Sequence, residues 1–159
     1  MNASQIANVA RGAGFDESIL PVVVAIALAE SSGNPSAYNG RPPDASYGLW
    51  QINMYGNLGP ARREQFNLSS NEDLFNPSIN AAAAYAISNG GSNFRPWATY
   101  TSGAYQRYLS AAPVATGNDD SGGLDPGGLT APLFTIGGFS LSPVAIIGIA
   151  LVGILLLKR

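Results

Sequence analysis

Glu30 is the only charged residue between Glu17 and Arg41, and it stands near the end of ILPVVVAIALAES, a run that is otherwise almost wholly apolar. Read as a helix, this run gives the carboxyl group no ion-pair partner nearby in sequence. It also sets the group against the negative end of the helix dipole. Burial and the dipole both disfavour the charged form and raise the pKa. A carboxyl group protonated near neutral pH can serve as a general acid. Breaking a glycosidic bond requires such a group, because the leaving oxygen must take a proton as an oxocarbenium-like centre forms. The competing reading makes Glu30 the first solvated residue beyond a buried helix.

Other chemistries are excluded by residue type. None of the 159 residues is His or Cys. Disulfides, thiolate nucleophiles, Ser-His-Asp triads and the usual His/Cys zinc sites are therefore ruled out. Carboxylates, hydroxyls, amides and a single lysine remain, and no metal or cofactor is expected. The missing Cys says little about compartment. Charged residues make up 11% of the chain and the formal net charge is -2, so no basic surplus exists to neutralise phosphates and no nucleic-acid partner is expected.

Around Glu30 the chain carries an ordered set of short elements. Glu30-Ser31-Ser32-Gly33-Asn34-Pro35 comes first, then Tyr47-Gly48-Leu49-Trp50-Gln51-Ile52-Asn53. Asn76-Pro77-Ser78-Ile79-Asn80 follows, and Trp97-Ala98-Thr99-Tyr100-Thr101-Ser102-Gly103 comes last. This set resembles the lytic transglycosylases of the soluble lytic transglycosylase and goose-type lysozyme-like superfamily. The resemblance covers about residues 5 to 110. Each element is weak alone, but four in this order and spacing make a specific pattern. It implies a lysozyme-like helical domain that cleaves the β-1,4 bond between N-acetylmuramic acid and N-acetylglucosamine in peptidoglycan.

Carried over position by position, the resemblance makes Glu30 the sole acid and base, with Ser31 helping to orient the site. Gly48, Leu49 and Gln51 fall on the element that lines the sugar groove, and Gln51 is the expected polar contact to the sugar. Gly48 would let the backbone approach the saccharide closely. The helix start at Asn76 to Asn80 would pack behind the groove, and Tyr100 would close the site opposite Glu30. Two positions depart from the family: Trp50 stands where many relatives have Met, and Thr101 where they have Asn. Trp50 can stack on a sugar or fill the core. The implied mechanism has Glu30 protonate the glycosidic oxygen and then take the proton of the C6 hydroxyl, which attacks C1 to give a 1,6-anhydro product. A lysozyme-type hydrolysis would need a second carboxylate, for which Asp44 and Asp73 are the candidates. Against this role, Asp44 follows Pro42-Pro43 in a turn and Asp73 lies in a polar run. A non-catalytic role, as a virion structural or wall-binding protein with this fold, is the third reading.

The elements that must position these residues are mostly helical. Ser4 to Ala13 fits an amphipathic helix with Ile6, Val9 and Ala10 on one face. Asp16 or Ser18 can cap the next helix, which carries Glu30 and should be central because it is apolar nearly all round. Val22 to Val24 could also read as strand, but length and Ala content favour helix. Residues 33–47 read as loop. Pro60 suits the first turn of a short helix through Phe66. Asn76-Pro77 opens a helix that Gly90-Gly91 ends, and Ala104 to Ala111 forms a last helix.

Beyond this first domain, 1–112, the composition changes. Residues 113–132 are rich in Gly, Pro and Asp and read as a flexible linker. Residues 133–159 form a hydrophobic segment with no charge before Lys158 and Arg159. Within it, 139–157 is expected to be a transmembrane-like helix. A helix buried in a multi-subunit assembly is the alternative. MNASQIANVARGAGFDESIL lacks a basic region followed by a long apolar one, so it does not read as a signal peptide. The expected setting is a phage virion that carries the enzyme to the wall for local opening during genome delivery. The tail would sit in a membrane or against a hydrophobic surface of the delivery complex, where the chain could form a homo-oligomer. A bacterial membrane protein is the alternative.

Overall fold

Asn2 sets the start of the first helix. Its side chain accepts from the Gln5 N–H at 2.9 Å while the Gln5 side chain accepts from the Asn2 N–H at 2.9 Å. This reciprocal box satisfies two donors that a helix end leaves free. The computed structural model describes residues 1–111 and the two short strands Thr135–Ile136 and Phe139–Ser140. Helix α1 spans Ala3–Gly12, with Ile6, Ala7 and Ala10 buried.

Helix α2, Leu20–Ser31, is the centre of the domain. Leu20, Val23, Val24, Ala25, Ile26 and Ala27 are all buried. Its valines are poor helix formers on their own. Burial decides the conformation, since each such side chain removed from water contributes about 1.5–3 kcal/mol. Pro21 sits in the first turn, where its missing N–H costs no bond. The expected cap is absent: Ile19 takes the N-cap position with no side-chain bond. Asp16 instead accepts from the Ser18 N–H and hydroxyl at 2.8 and 2.6 Å, closing a turn before the helix begins. At the other end, Ser32 adopts φ 54° and its N–H bonds the Leu28 carbonyl. That left-handed residue stops the helix just after Glu30 and Ser31.

Three two-residue strands follow: β1 Tyr38–Asn39, β2 Ser46–Tyr47 and β3 Ile52–Asn53. They pair antiparallel in the order β1-β2-β3, with Tyr38 opposite Tyr47 and Ser46 opposite Asn53. The sequence reading of 33–47 as loop missed this sheet. Strands this short carry too few residues to show a period of two.

Helix α3 spans Leu58–Gln65, and a 3-10 turn at Asn71–Phe75 precedes helix α4, Pro77–Ile87. Asn76 caps α4, accepting from the Ser78 and Ile79 N–H groups. The short helix α5, Ala98–Thr101, was not expected, and the last expected helix, Ala104–Ala111, is of the 3-10 kind. Helix α2 packs against α1 and this 3-10 helix, and α1 also packs against α4.

The pivot between α4 and the sheet is Asn80, which is fully buried. Its Oδ1 accepts from the Trp50 N–H at 2.9 Å, and its Nδ2 donates to the carbonyls of Tyr47 and Leu74 at 2.8 and 2.9 Å. The helix start at Asn76 to Asn80 thus packs behind the Gly48–Gln51 element.

The chain divides into two units, Met1–Gly117 and Asn118–Arg159. In the second unit, Thr135–Ile136 pairs antiparallel with Phe139–Ser140. The expected linker, 113–132, lies outside the described residues. So does the expected apolar span, 139–157, apart from the strand Phe139–Ser140. Among the described residues, no helix is long and apolar enough to cross a membrane.

Candidate active site

The end of α2, the three-stranded sheet, α3 and the start of α5 enclose a cleft of about 210 Å³, and Glu30 lines it. Glu30 is half-buried, and the Thr99 hydroxyl donates to its Oε1 at 2.6 Å. Loss of water around the carboxyl group pushes its pKa up from the ordinary 4.5, and nearby Asp44 adds to the rise. The Thr99 hydroxyl and backbone pull the other way, and the net direction is upward. The shift that the apolar run predicts is therefore present, and burial is its chief cause.

Two indole rings place Thr99. Trp50 is buried, and its Nε1 donates to the Val23 carbonyl in the middle of α2 at 3.0 Å. Trp97 Nε1 donates in turn to the Trp50 carbonyl at 2.7 Å. This relay fixes the start of α5 against α2, so that Thr99 meets Glu30. It also settles the two readings of Trp50: the ring fills the core and does not face a sugar.

Gln51 lines the cleft as well. Its φ is 46°, and its Nε2 donates to the carbonyls of Gly48 and Ala37 at 2.9 and 3.2 Å. The protein thus uses the amide nitrogen to hold the side chain. Oε1 has no protein donor among the described residues and remains an acceptor for a ligand hydroxyl or N–H.

The other expected positions do not line the cleft. The Ser31 hydroxyl is buried and donates back to the Ala27 carbonyl at 2.9 Å, so it is committed to the helix. Leu49 is fully buried in the core. Gly48 has φ +76°, and a Cβ there would lie 2.3 Å from the Leu74 carbonyl oxygen and 2.4 Å from Asn80 Nδ2. Glycine is needed at this position for the close approach of Asn80 and Leu74. Tyr100 packs on Phe94, with ring centroids 5.6 Å apart, and stacks on Tyr105 at 5.0 Å. It borders a separate groove with Arg95 and Gln106. Its neighbour Thr99 makes the contact to Glu30. The Thr101 hydroxyl donates to the Ala98 carbonyl at 3.2 Å, within α5 itself.

Of the two further carboxylates, Asp44 lines the cleft and Asp73 does not. Asp44 accepts from Asn53 Nδ2 at 2.9 Å, Ser46 Oγ at 3.1 Å and Asn39 Nδ2 at 3.3 Å. Donors from all three strands thus converge on one carboxylate and fix its place in the cleft. Asp73 accepts from the Ser69 and Ser70 N–H groups at 2.7 and 3.1 Å, which makes it a cap of the 3-10 turn.

Sequence reasoning missed Thr99, Asn39, Asn53 and Arg62. Thr99 lay inside a quoted element, and its place in the first turn after Trp97 was the available signal. The others owe their positions to the unforeseen sheet and to α3. Among the described residues there is no cluster of carboxylates that could hold a metal ion.

A family model described as a lysozyme-like domain matches residues 7–99. The match takes in Glu30, Asp44, Gln51, Arg62 and Thr99. Neither a curated protein nor a solved structure matches the chain.

Proposed function

The chain belongs to the lysozyme-like domain family, and from that premise we propose that it cleaves peptidoglycan glycan strands as a lytic transglycosylase. One observation carries the reading: Glu30 is a half-buried carboxyl group with a raised pKa, held by Thr99 in an open cleft. Glu30 gives its proton to the oxygen between N-acetylmuramic acid and N-acetylglucosamine, and the C1–O bond breaks. The acetamido group of the substrate supports the positive charge at C1. The Glu30 carboxylate then takes the proton of the C6 hydroxyl, whose oxygen bonds to C1. The products are a 1,6-anhydro sugar and a free 4-hydroxyl end, and Glu30 ends protonated as it began. Mass spectrometry of digested cell wall tests this: anhydro products should form, and Glu30→Gln should abolish them. Undiminished release by that variant would overturn the assignment. Binding to the wall with no product at any pH would return the scaffold reading.

Asp44 favours a second reading. It shares the cleft with Glu30 and three donors fix it in place. A carboxylate so placed can orient a water molecule for attack at C1, which would give a hydrolysed, reducing end. Product mass separates the two outcomes by one water.

A further inference from the structure

Helix α3 carries Arg62 and Arg63 side by side. Arg63 is engaged by the protein: its Nη1 donates to Asn71 Oδ1 at 2.7 Å. Arg62 lines the Glu30 cleft. One nitrogen, Nη1, donates to the Asn53 carbonyl, and the described residues supply no other acceptor for this side chain. No carboxylate reaches it either, since the one ion pair among the described residues is Arg11–Glu17 at the surface. Asp44, in the same cleft, gives its oxygens to Asn39, Ser46 and Asn53. Arg62 is half-buried, and loss of water lowers its pKa. Guanidinium stays charged even so.

A half-desolvated cation whose remaining N–H donors are not taken up by the protein can offer them to a ligand in the cleft. Its planar fork fits a carboxylate in particular, through two parallel hydrogen bonds. In the glycan-cleaving reading, on which this inference rests, the substrate brings such groups. The muramic acid sugar bears a lactyl ether that ends in a carboxylate where no stem peptide is attached and in an amide where one is, and the stem peptides carry carboxylates of their own. A polymer of N-acetylglucosamine alone has none. We propose that Arg62 binds a carboxylate of the substrate and so selects muramic-acid-containing strands over chitin-like ones.

The test is calorimetric titration of the full chain carrying Glu30→Gln, which prevents turnover, with and without Arg62→Gln. Three ligands are compared: chitotetraose, the muramic-acid tetrasaccharide without peptide, and the same tetrasaccharide with its stem peptides. Arg62→Gln should weaken binding of a carboxylate-bearing ligand by at least tenfold more than binding of chitotetraose. Loss confined to the peptide-free tetrasaccharide identifies the lactyl carboxylate, and loss confined to the substituted one identifies the stem. Arg62→Lys keeps the charge without the fork and should recover only part of the loss. Equal weakening for all three ligands, or none for any, would overturn the proposal. A Glu30→Gln protein that binds none of them would remove the glycan reading itself. Thermal melting of each variant separates lost folding from lost recognition.

Discussion

The Thr99 hydroxyl and Glu30 Oε1 lie 2.6 Å apart although 69 positions of chain separate the two residues. This contact holds one oxygen of the carboxyl group at a fixed point in the cleft. It also sets up a contest of forces. Desolvation favours the protonated acid, while the hydroxyl bond favours the carboxylate. Desolvation wins, and Glu30 keeps its proton to higher pH than an exposed glutamate.

Thr99→Val removes the hydroxyl at nearly constant shape. The Glu30 pKa should rise further, and the alkaline limb of the activity profile should move to higher pH. Loss of the fixed geometry should lower kcat about tenfold or more. A pH series of initial rates on purified sacculi reads both effects. A uniform drop in rate with an unmoved limb would show that Thr99 serves the fold alone.

The raised pKa also links stability to pH. A group whose folded pKa lies above its unfolded value contributes stability that is full below the unfolded pKa and is lost as pH rises through the folded one. Glu30 should follow this sign, with the loss beginning above its ordinary value of 4.5. Glu30→Gln stays neutral throughout. The variant should therefore match the parent in thermal midpoint at low pH and exceed it at pH 8. Equal midpoints at both values would show that the carboxyl group has no desolvation cost.

Asp44→Asn separates the two glycan-cleaving readings. It keeps the size of the side chain and removes the charge. If the C6 hydroxyl is the nucleophile, anhydro products should persist within a few-fold of the parent rate. If Asp44 orients a water, product release should fall by roughly 100-fold or more.

Asn80→Ala tests the joint behind the cleft. Three buried backbone groups, the Trp50 N–H and the Tyr47 and Leu74 carbonyls, would lose their partner. Each unsatisfied group costs about 1–3 kcal/mol. Urea unfolding should show a loss of roughly 3 kcal/mol or more, a midpoint shift of about 1 M or greater. A shift below half that size would mean that the element relaxes to satisfy itself.

Much of the helical framework was legible because it rests on local rules. An unbroken apolar run with one carboxylate reads as a central helix bearing Glu30, and α2 has that form. Asn76-Pro77 reads as a cap and first turn, and α4 starts there. The caps of α2 were misread because Asp16 and Ser18 can bond each other as readily as a helix end. The sheet stayed hidden because two-residue strands leave no periodic trace. Gly48 carried a true signal, a position that tolerates no Cβ, but the sequence could not say whether sugar or protein would take that space.

By itself the sequence determined which chemistries remain open. A chain without His or Cys is left with carboxylates, hydroxyls, amides and a single lysine, and one carboxylate near the end of an apolar helix stands out among them. Which groups surround that carboxylate was decided only by tertiary structure. Thr99, rather than Tyr100, reaches Glu30 because the Val23–Trp50–Trp97 relay sets the angle of α5. Asp44 enters the cleft because Asn39, Ser46 and Asn53 meet on neighbouring strands, and Arg62 joins it because its guanidinium donates to the Asn53 carbonyl on β3. Such contacts join residues far apart in the chain, and local propensity does not encode them. They form when buried indoles and half-buried amide and guanidinium groups find hydrogen-bond partners as the core closes.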